Sequence, residues 1–420
     1  MNKEEFVKNL KNVKVILGNG FDLHCGLYTK YSDYYCQNYR KFVFIQKQYK
    51  EYINNDNYEL DFNDEKISRL NIWDIFFALN SSNNPYECKQ RWCDIESLMK
   101  DSFVDTKNVS TEEFFKHTFY DSSSINWPMV KRIVERRETN ERDSQGFISE
   151  FVLFKMESFK RTNNSFYDLL LSELKEFEKS FGQFIYWQLH YGKVEERQFG
   201  VLNLNTLYIE RAKYVLNCLC DLSSAKIDSF NYSYIHDKEL MKKTNYINGY
   251  FESPIFGIDT CFEPDDDKFI FTKTCRRMDD EINDSDHLAK EEFDNVVIFG
   301  HSLNEADYSY FFPLFDKLEL LDSTANGVLV FAYFIYDKEN ESQIKANLRL
   351  SISNIIYAYA KDKGVSNPKR FLDTLSTNRR VLTYEILDFP DRLKLSKTRL
   401  DGDWDRIYKE IDNLKENNND

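Results

Sequence analysis

The sequence predicts an α/β fold, a mostly parallel sheet with helices on both faces and a large helical insertion. Three observations carry that prediction. Short β-branched and aromatic runs alternate with longer amphipathic stretches, the pattern of strands joined by crossover helices. Of seven such strand-like runs only one precedes residue 220, so the intervening chain reads as helix inserted into the sheet order. Finally, 13 Gly and 7 Pro among 420 residues leave few breakers, which favours long regular elements.

Taken in order, the first strand is Val13 to Leu17, followed by Gly18-Asn19-Gly20-Phe21-Asp22 and a helix over Tyr31 to Tyr52. Tyr86 to Met99, Phe166 to Leu189 and Leu207 to Leu219 are each apolar on one face and charged on the other, as solvent-facing helices are. Lys131 to Asp143 mixes both charge signs densely and reads as an exposed helix or loop. The remaining strands are Lys226 to Phe230, Asn245 to Ile247, Pro254 to Ile258, Val296 to Phe299, Val328 to Tyr336 and Val381 to Ile386, with helices at Ala306 to Leu321 and Lys338 to Lys361. The acidic stretch Glu263 to His287 reads as a surface loop. Residues 1–50 therefore hold the first strand and loop of the α/β core, 51–220 a mainly helical insertion, 221–400 the rest of the core, and 401–420 a helical tail that frays.

Composition narrows the function. A hydrophobic share of 42% with 35 Phe and 27 Tyr excludes wholesale disorder. The net charge of −14 repels polyanions and argues against non-specific nucleic-acid or anionic-membrane binding. The longest apolar run, Val328 to Tyr336, falls short of the roughly 20 residues that span a bilayer, and MNKEEFVKNLKNVK lacks a signal-peptide core. Eight scattered cysteines without C-x-x-C or paired-histidine spacing predict no metal site and fit a reducing compartment, so a cytoplasmic protein is expected. No Walker A, G-x-S-x-G or Arg-x4–6-His arrangement is present, and Glu173-x-Lys175 lies in a helix where such alternation is ordinary surface patterning.

Three segments are candidates for chemistry. A strand running straight into Gly18-x-Gly20 lets the backbone approach a phosphate, although the third glycine of a dinucleotide fingerprint is missing. Asp22 follows too soon to be a ribose-binding acid and lies nearer any chemistry. The second strand end carries Asn231, whose amide can hold a ribose hydroxyl or orient a water; an Asn turn with no ligand is the simpler alternative. The third, VVIFGHSLNEAD, places His301 for proton transfer, while Ser302 and Glu305 have capping-box spacing at a helix start that suits an anion. In a parallel sheet all three open onto one edge, where ligands of open α/β sheets bind.

These segments resemble the phage abortive-infection protein family AbiH. The resemblance rests on ILGNGFDLHCGLYTKYSDYY, on Trp92-x-Asp94-x-Glu96, on Phe230-Asn231-Tyr232, on Gly257-Ile258-Asp259 and on Gly300-His301-Ser302-Leu303-Asn304 with Asp307. AbiH proteins are distantly similar to sirtuin-like Rossmann domains, several of which cleave NAD in bacterial defence. The resemblance therefore implies a Rossmann-like, sirtuin-like core that binds NAD or a related nucleotide. It assigns Gly18, Asn19, Gly20 and Phe21 to phosphate or ribose contacts, Asn231 to the nicotinamide ribose, Asn248 and Gly249 to the cofactor, and Gly300 to Ser302 to the far side of the crevice.

Two positions depart from the pattern. His24 precedes Cys25, which occupies the family's histidine position, and Asn248-Gly249 replaces the usual His-Gly. Asn is no general base. Either His301 takes that role, or Asn231 and Asp22 orient a water, or the nucleotide is bound and not cleaved. The expectation is an antiphage protein that binds and hydrolyses NAD, with a non-enzymatic nucleotide sensor as the alternative. Its expected partners are the nucleotide, a phage-derived trigger and, as an open option, further copies of the chain. Asn19 and Asn231 show no evident packing duty in the sequence, whereas for His301 a histidine merely satisfied by a neighbouring carbonyl is the alternative.

Overall fold

The computed structural model describes residues 3–80, 95–103, 125–136, 142–159, 165–196, 200–258, 262–278 and 292–394. Among these residues eight strands run in chain order: β1 Val13–Leu17, β2 Lys193–Glu196, β3 Gly200–Asn203, β4 Lys226–Ser229, β5 Thr244–Tyr246, β6 Asn295–Phe299, β7 Val328–Tyr333 and β8 Val381–Glu385. Six form one sheet in the order β5-β4-β1-β6-β7-β8, and every neighbouring pair is parallel. The chain first builds outward from β1 through β4 to β5. It then returns to the other side of β1 and adds β6, β7 and β8. This is the doubly wound, Rossmann-like order, and its reversal lies between β1 and β6.

Central strands of such a sheet are covered on both faces, which requires continuous apolar runs. VKVIL and NVVIF are buried at every position. Helices Tyr308–Lys317 and Glu341–Asp362 supply part of the cover, through Phe311, Phe315, Ile352, Ile355 and Ile356 packed with Ile16, Ile298, Leu329 and Phe331. The one charge inside β1, Lys14, pairs with Asp228 of β4 at 2.7 Å with both side chains buried.

Several local expectations change. Pro254 to Ile258 forms no strand; only an isolated bridge joins Ile258 to Thr272. A second two-stranded antiparallel sheet, β2 with β3, precedes residue 220. Its KVEE sequence lacks the apolar alternation that marks a half-buried strand. The chain turns helical at Asn19, directly after β1, and the helix expected over Tyr31 to Tyr52 is two, Tyr31–Gln37 and Tyr39–Asn54.

The chain divides into two compact units. The sheet unit comprises residues 1–29, 182–254 and 277–401, and so includes the helix Leu204–Leu219. The second unit comprises residues 30–181, 255–276 and 402–420; its described part is helical around an aromatic core, in which Trp127 meets Trp73 and Phe76 at centroid distances of 5.2 Å. Much of the aromatic excess is spent here. The tail 401–420 and residues 279–287 lie outside the described residues; the rest of the stretch expected as a surface loop, 263–278, holds a 3-10 helix Asp267–Phe271 and a helix Lys273–Met278, with Phe271, Lys273 and Arg276 buried.

Candidate functional site

The carboxyl ends of β1 and β4 bring together a buried polar cluster around Asp22. The helix Asn19–Cys25 starts at the N-cap Gly18 without a side-chain cap, and its first turn turns Phe21 and Asp22 inward. Asp22 is completely buried. From the helix Leu204–Leu219, Tyr208 donates its hydroxyl to Asp22 Oδ1 at 2.8 Å. From the loop after β4, Asn231 donates Nδ2 to the same oxygen at 3.2 Å, and the Ser233 hydroxyl lies 3.0 Å from the Tyr208 hydroxyl. The Asn231 N–H donates to Ser229 Oγ at 3.2 Å, which fixes the turn that carries the amide.

Burial pushes the Asp22 carboxyl from 3.8 up to about 7, although its bonds to Ser233, Tyr208 and Asn231 each pull it down. Asp22 Oδ2 and Asn231 Oδ1 are buried and have no hydrogen-bond partner among the described residues. Leaving a buried acceptor unsatisfied costs about 1–3 kcal/mol. A carboxyl titrating near neutrality can take and return a proton, and two open acceptors can receive donors from a ligand or water.

The glycines earn their place by packing. The Gly18 N–H donates to Phe299 O at 3.0 Å and the Gly20 N–H to Gly300 O at 2.7 Å. A Cβ on Gly18 would meet His301 Cα at 2.4 Å, and one on Gly300, whose φ is +69°, would meet Phe21 N at 2.3 Å. The loops after β1 and β6 therefore touch through their backbones at the point where the strand order reverses. With its N–H occupied, Gly20 has no free donor for a phosphate.

His301 is held at both ring nitrogens. The Leu303 N–H donates to Nδ1 at 2.9 Å, so the neutral ring carries its proton on Nε2, which faces Asp307 Oδ2 at 3.5 Å. The side chain is buried, and its ring meets Phe230 and Phe311 edge-on. Both ring nitrogens of the expected general base thus have partners within the fold, and the His301 to Asp307 spacing is explained by their contact. The capping box is also absent. Asn304 precedes a 3-10 turn at Glu305–Asp307 without a side-chain cap, and the helix starts only at Tyr308, while Ser302 is exposed.

The other candidates scatter. Asn19 is exposed and accepts from the Thr29 hydroxyl. Phe21 is fully buried, edge-on to Tyr208 and Phe299, and belongs to the core rather than to a ligand face. Asn248 is buried and accepts from Arg277 Nη2 at 2.9 Å; Gly249 has φ +70°, and a Cβ there would lie 2.0 Å from Ser253 O. Nearby in sequence, His24 stacks on Phe389 at 4.4 Å and leans on Phe334; burial, then the Arg211 charge, lowers it to about 4.

Tyr208 and Ser233 were not among the sequence candidates. Tyr208 sits on the apolar stripe with Ala212 and Val215, where a phenol reads as core; its one signal is a hydroxyl that a buried helix face must satisfy. In the second unit, Glu96 accepts from the Gly257 N–H at 3.2 Å and pairs with Lys273 at 2.8 Å, a structural tie between two motif segments. Glu173, rather than sitting as free surface charge, accepts from the Ile72 N–H and from Lys155. Trp92, Asp94 and Asp259 lie outside the described residues. Among the described residues no cluster of three His, Cys, Asp or Glu could hold a metal ion, and no helix is long and apolar enough to cross a membrane.

A family model described as bacteriophage abortive infection AbiH matches residues 15–326, from within β1 to just before β7. No curated protein and no solved structure matches the chain. The matched span covers both polar loops of the carboxyl edge, the Asp22 cluster and the His301–Asp307 pair, and on that extent the chain belongs to the bacteriophage abortive infection family AbiH.

Proposed function

We propose that this AbiH protein acts in the cytoplasm, in response to a phage-derived trigger, by binding NAD or a related nucleotide at the carboxyl edge of its sheet and hydrolysing it around Asp22. The observation that carries the reading is the buried Asp22 carboxyl, held near neutrality, with an open oxygen beside the open Asn231 carbonyl. It lies at the end of β1, beside the reversal of strand order where doubly wound sheets bind nucleotides. With His301 engaged at both nitrogens and Asn248 held by Arg277, Asp22 is the group left to move a proton. In the hydrolysis, water oxygen forms a bond to the anomeric carbon, the N-glycosidic electron pair goes to the nicotinamide nitrogen, and Asp22 takes the proton from water.

The second reading, a nucleotide sensor without turnover, is favoured by the sealed position of the two open oxygens. One experiment separates the readings: incubation with NAD, ATP and RNA in parallel, with products followed by chromatography and folding followed by melting temperature. Nicotinamide and ADP-ribose released by the wild type, and lost in Asp22→Asn, support hydrolysis. A melting shift without product supports the sensor. No shift across millimolar NAD, ADP-ribose, ATP and GTP sinks both, because a ligand that binds only the folded state raises stability by mass action.

A further inference from the structure

The helix Glu341–Asp362 buries one face and leaves the opposite one without charge. Ile352, Ile355, Ile356 and Tyr359 pack into the cluster that holds Ile298, Leu329 and Phe331. On the other side Gln343, Ala346, Asn347, Leu350, Asn354 and Tyr357 are all exposed, Leu350 by 61% and Tyr357 by 45%. At about 3.6 residues per turn these six fall in one stripe. In a chain that is 30% charged, a solvent-facing stripe of this length ordinarily carries charges. The two charges inside the span lie to one side: Lys345 turns to β8 and pairs with Glu385 at 3.0 Å, and Arg349 follows it one helical turn on.

The stripe and its ends are self-complementary. When two such helices lie antiparallel about a two-fold axis at Leu350, residues equally far before and after Leu350 stand opposite one another. Tyr357 of one copy then meets Gln343 of the other, and Asn354 meets Ala346, whose small side chain admits close approach. Gln343 Nε2 donates to Asn347 Oδ1 at 2.7 Å along the stripe, so these amides enter the seam already partnered. Amides in a helix seam fix its register. The charges stand only at the ends, and there they match. Exposed Lys338 and Glu339, in the turn that enters the helix, face Asp362 and Lys361 at its far end. Asp362 remains 52% exposed, with Lys363 3.8 Å away. A parallel pairing would instead set Lys361 against Lys361 and Glu339 against Glu339, which like charges disfavour.

We propose that this stripe is the interface with a second copy of the chain, the two helices antiparallel and meeting at Leu350. The uncharged centre supplies the contact, and the end charges select the antiparallel register. A single helix pair is smaller than the roughly 1,200–2,000 Å² of a standard stable interface, so a dissociation constant of about 1–100 µM is expected.

The test is sedimentation equilibrium of the whole protein from about 1 to 200 µM, with the melting temperature of every variant recorded alongside. The variants are Leu350→Arg, Glu339→Lys, Lys361→Glu and the double reversal of Glu339→Lys with Lys361→Glu. The wild type is expected to pass from monomer to dimer across this range. Leu350→Arg sets two like charges against each other on the axis and should stay monomeric at an unchanged melting temperature, because Leu350 is exposed. Each single reversal sets like charges opposite twice and should weaken the dimer about 10-fold, while the double reversal restores it. A wild type that is monomeric throughout overturns the proposal and leaves the stripe to a protein of another kind. A dimer that survives Leu350→Arg overturns it as well, since the contact then lies elsewhere. A double reversal that dissociates as readily as either single one overturns the antiparallel register.

Discussion

Asn231 donates its amide to the same Asp22 oxygen that Tyr208 already occupies, 3.2 Å and 2.8 Å away respectively, and so leaves Asp22 Oδ2 without a partner. Donors crowded onto one oxygen favour the carboxylate, yet burial outweighs them and the group titrates near 7. The cluster is therefore neither a fixed charge nor a plain hydrogen-bonded core; it holds a buried acid that burial raises to about 7.

That balance predicts a pH profile with two opposing limbs. Asp22 has its folded value raised from 3.8 to about 7, so the stability of its neutral form is fully present below pH 3.8 and is lost as pH rises through 7, about 4 kcal/mol in all. His24 has its folded value lowered from 6.5 to about 4, so its contribution is fully present above pH 6.5 and is lost as pH falls through 4, about 3 kcal/mol. In the wild type the two nearly cancel. Urea denaturation between pH 4 and 8 should show Asp22→Asn gaining stability as pH rises, and His24→Phe losing it. Parallel profiles for the three proteins would refute the assignment.

Gly18→Ala and Gly300→Ala are expected to lower the melting temperature sharply, because each new Cβ would meet backbone atoms at 2.4 and 2.3 Å. Gly364→Ala is the control: it shares a positive φ, +68°, but meets nothing within 4 Å, so it should cost only about 1 kcal/mol. Equal losses at all three positions would show that the contact between the loops after β1 and β6 carries no stability. Loss of antiphage activity in the first two variants alone would then say nothing about phosphate binding.

Lys14 and Asp228 form a buried pair that also receives the Tyr310 hydroxyl. Removing one charge strands the other, so Lys14→Met should destabilise by about 3–5 kcal/mol, and the double change Lys14→Met with Asp228→Leu by clearly less. Chemical denaturation of the single and double variants checks this; additive losses would exclude coupling between the two side chains.

The sheet was legible because buried parallel strands announce themselves. VKVIL was read to the residue, and Val381 to Ile386 differs from β8 by one. PIFGI failed because a short apolar run reads alike whether it pairs in a sheet or merely packs, and Ile258 makes only one bridge. At the site, Asp22 and Asn231 were legible from their positions after strand ends. Tyr208 was not, since its contact with Asp22 spans 186 residues and helical spacing marks it only as apolar. The two open oxygens are properties of packing density, to which no motif points.

His301 gives the sharpest separation between a catalytic and a structural histidine. Read as a surface base, its alanine variant would leave folding untouched and abolish defence. The geometry predicts the reverse emphasis. His301→Ala empties a space between Phe230 and Phe311 and strands the Leu303 N–H, at a residue whose φ of +57° already needs support. A loss of about 2–4 kcal/mol is expected by analogy with other buried truncations. His301→Asn keeps an acceptor two residues before that N–H, as asparagine side chains do in turns, and should recover part of the stability. If the proposed NAD hydrolysis around Asp22 holds, neither variant should change it per folded molecule, measured at a temperature well below both melting points. If His301→Asn is fully folded and still inactive, the ring itself is doing chemistry, and the assignment of the proton to Asp22 fails.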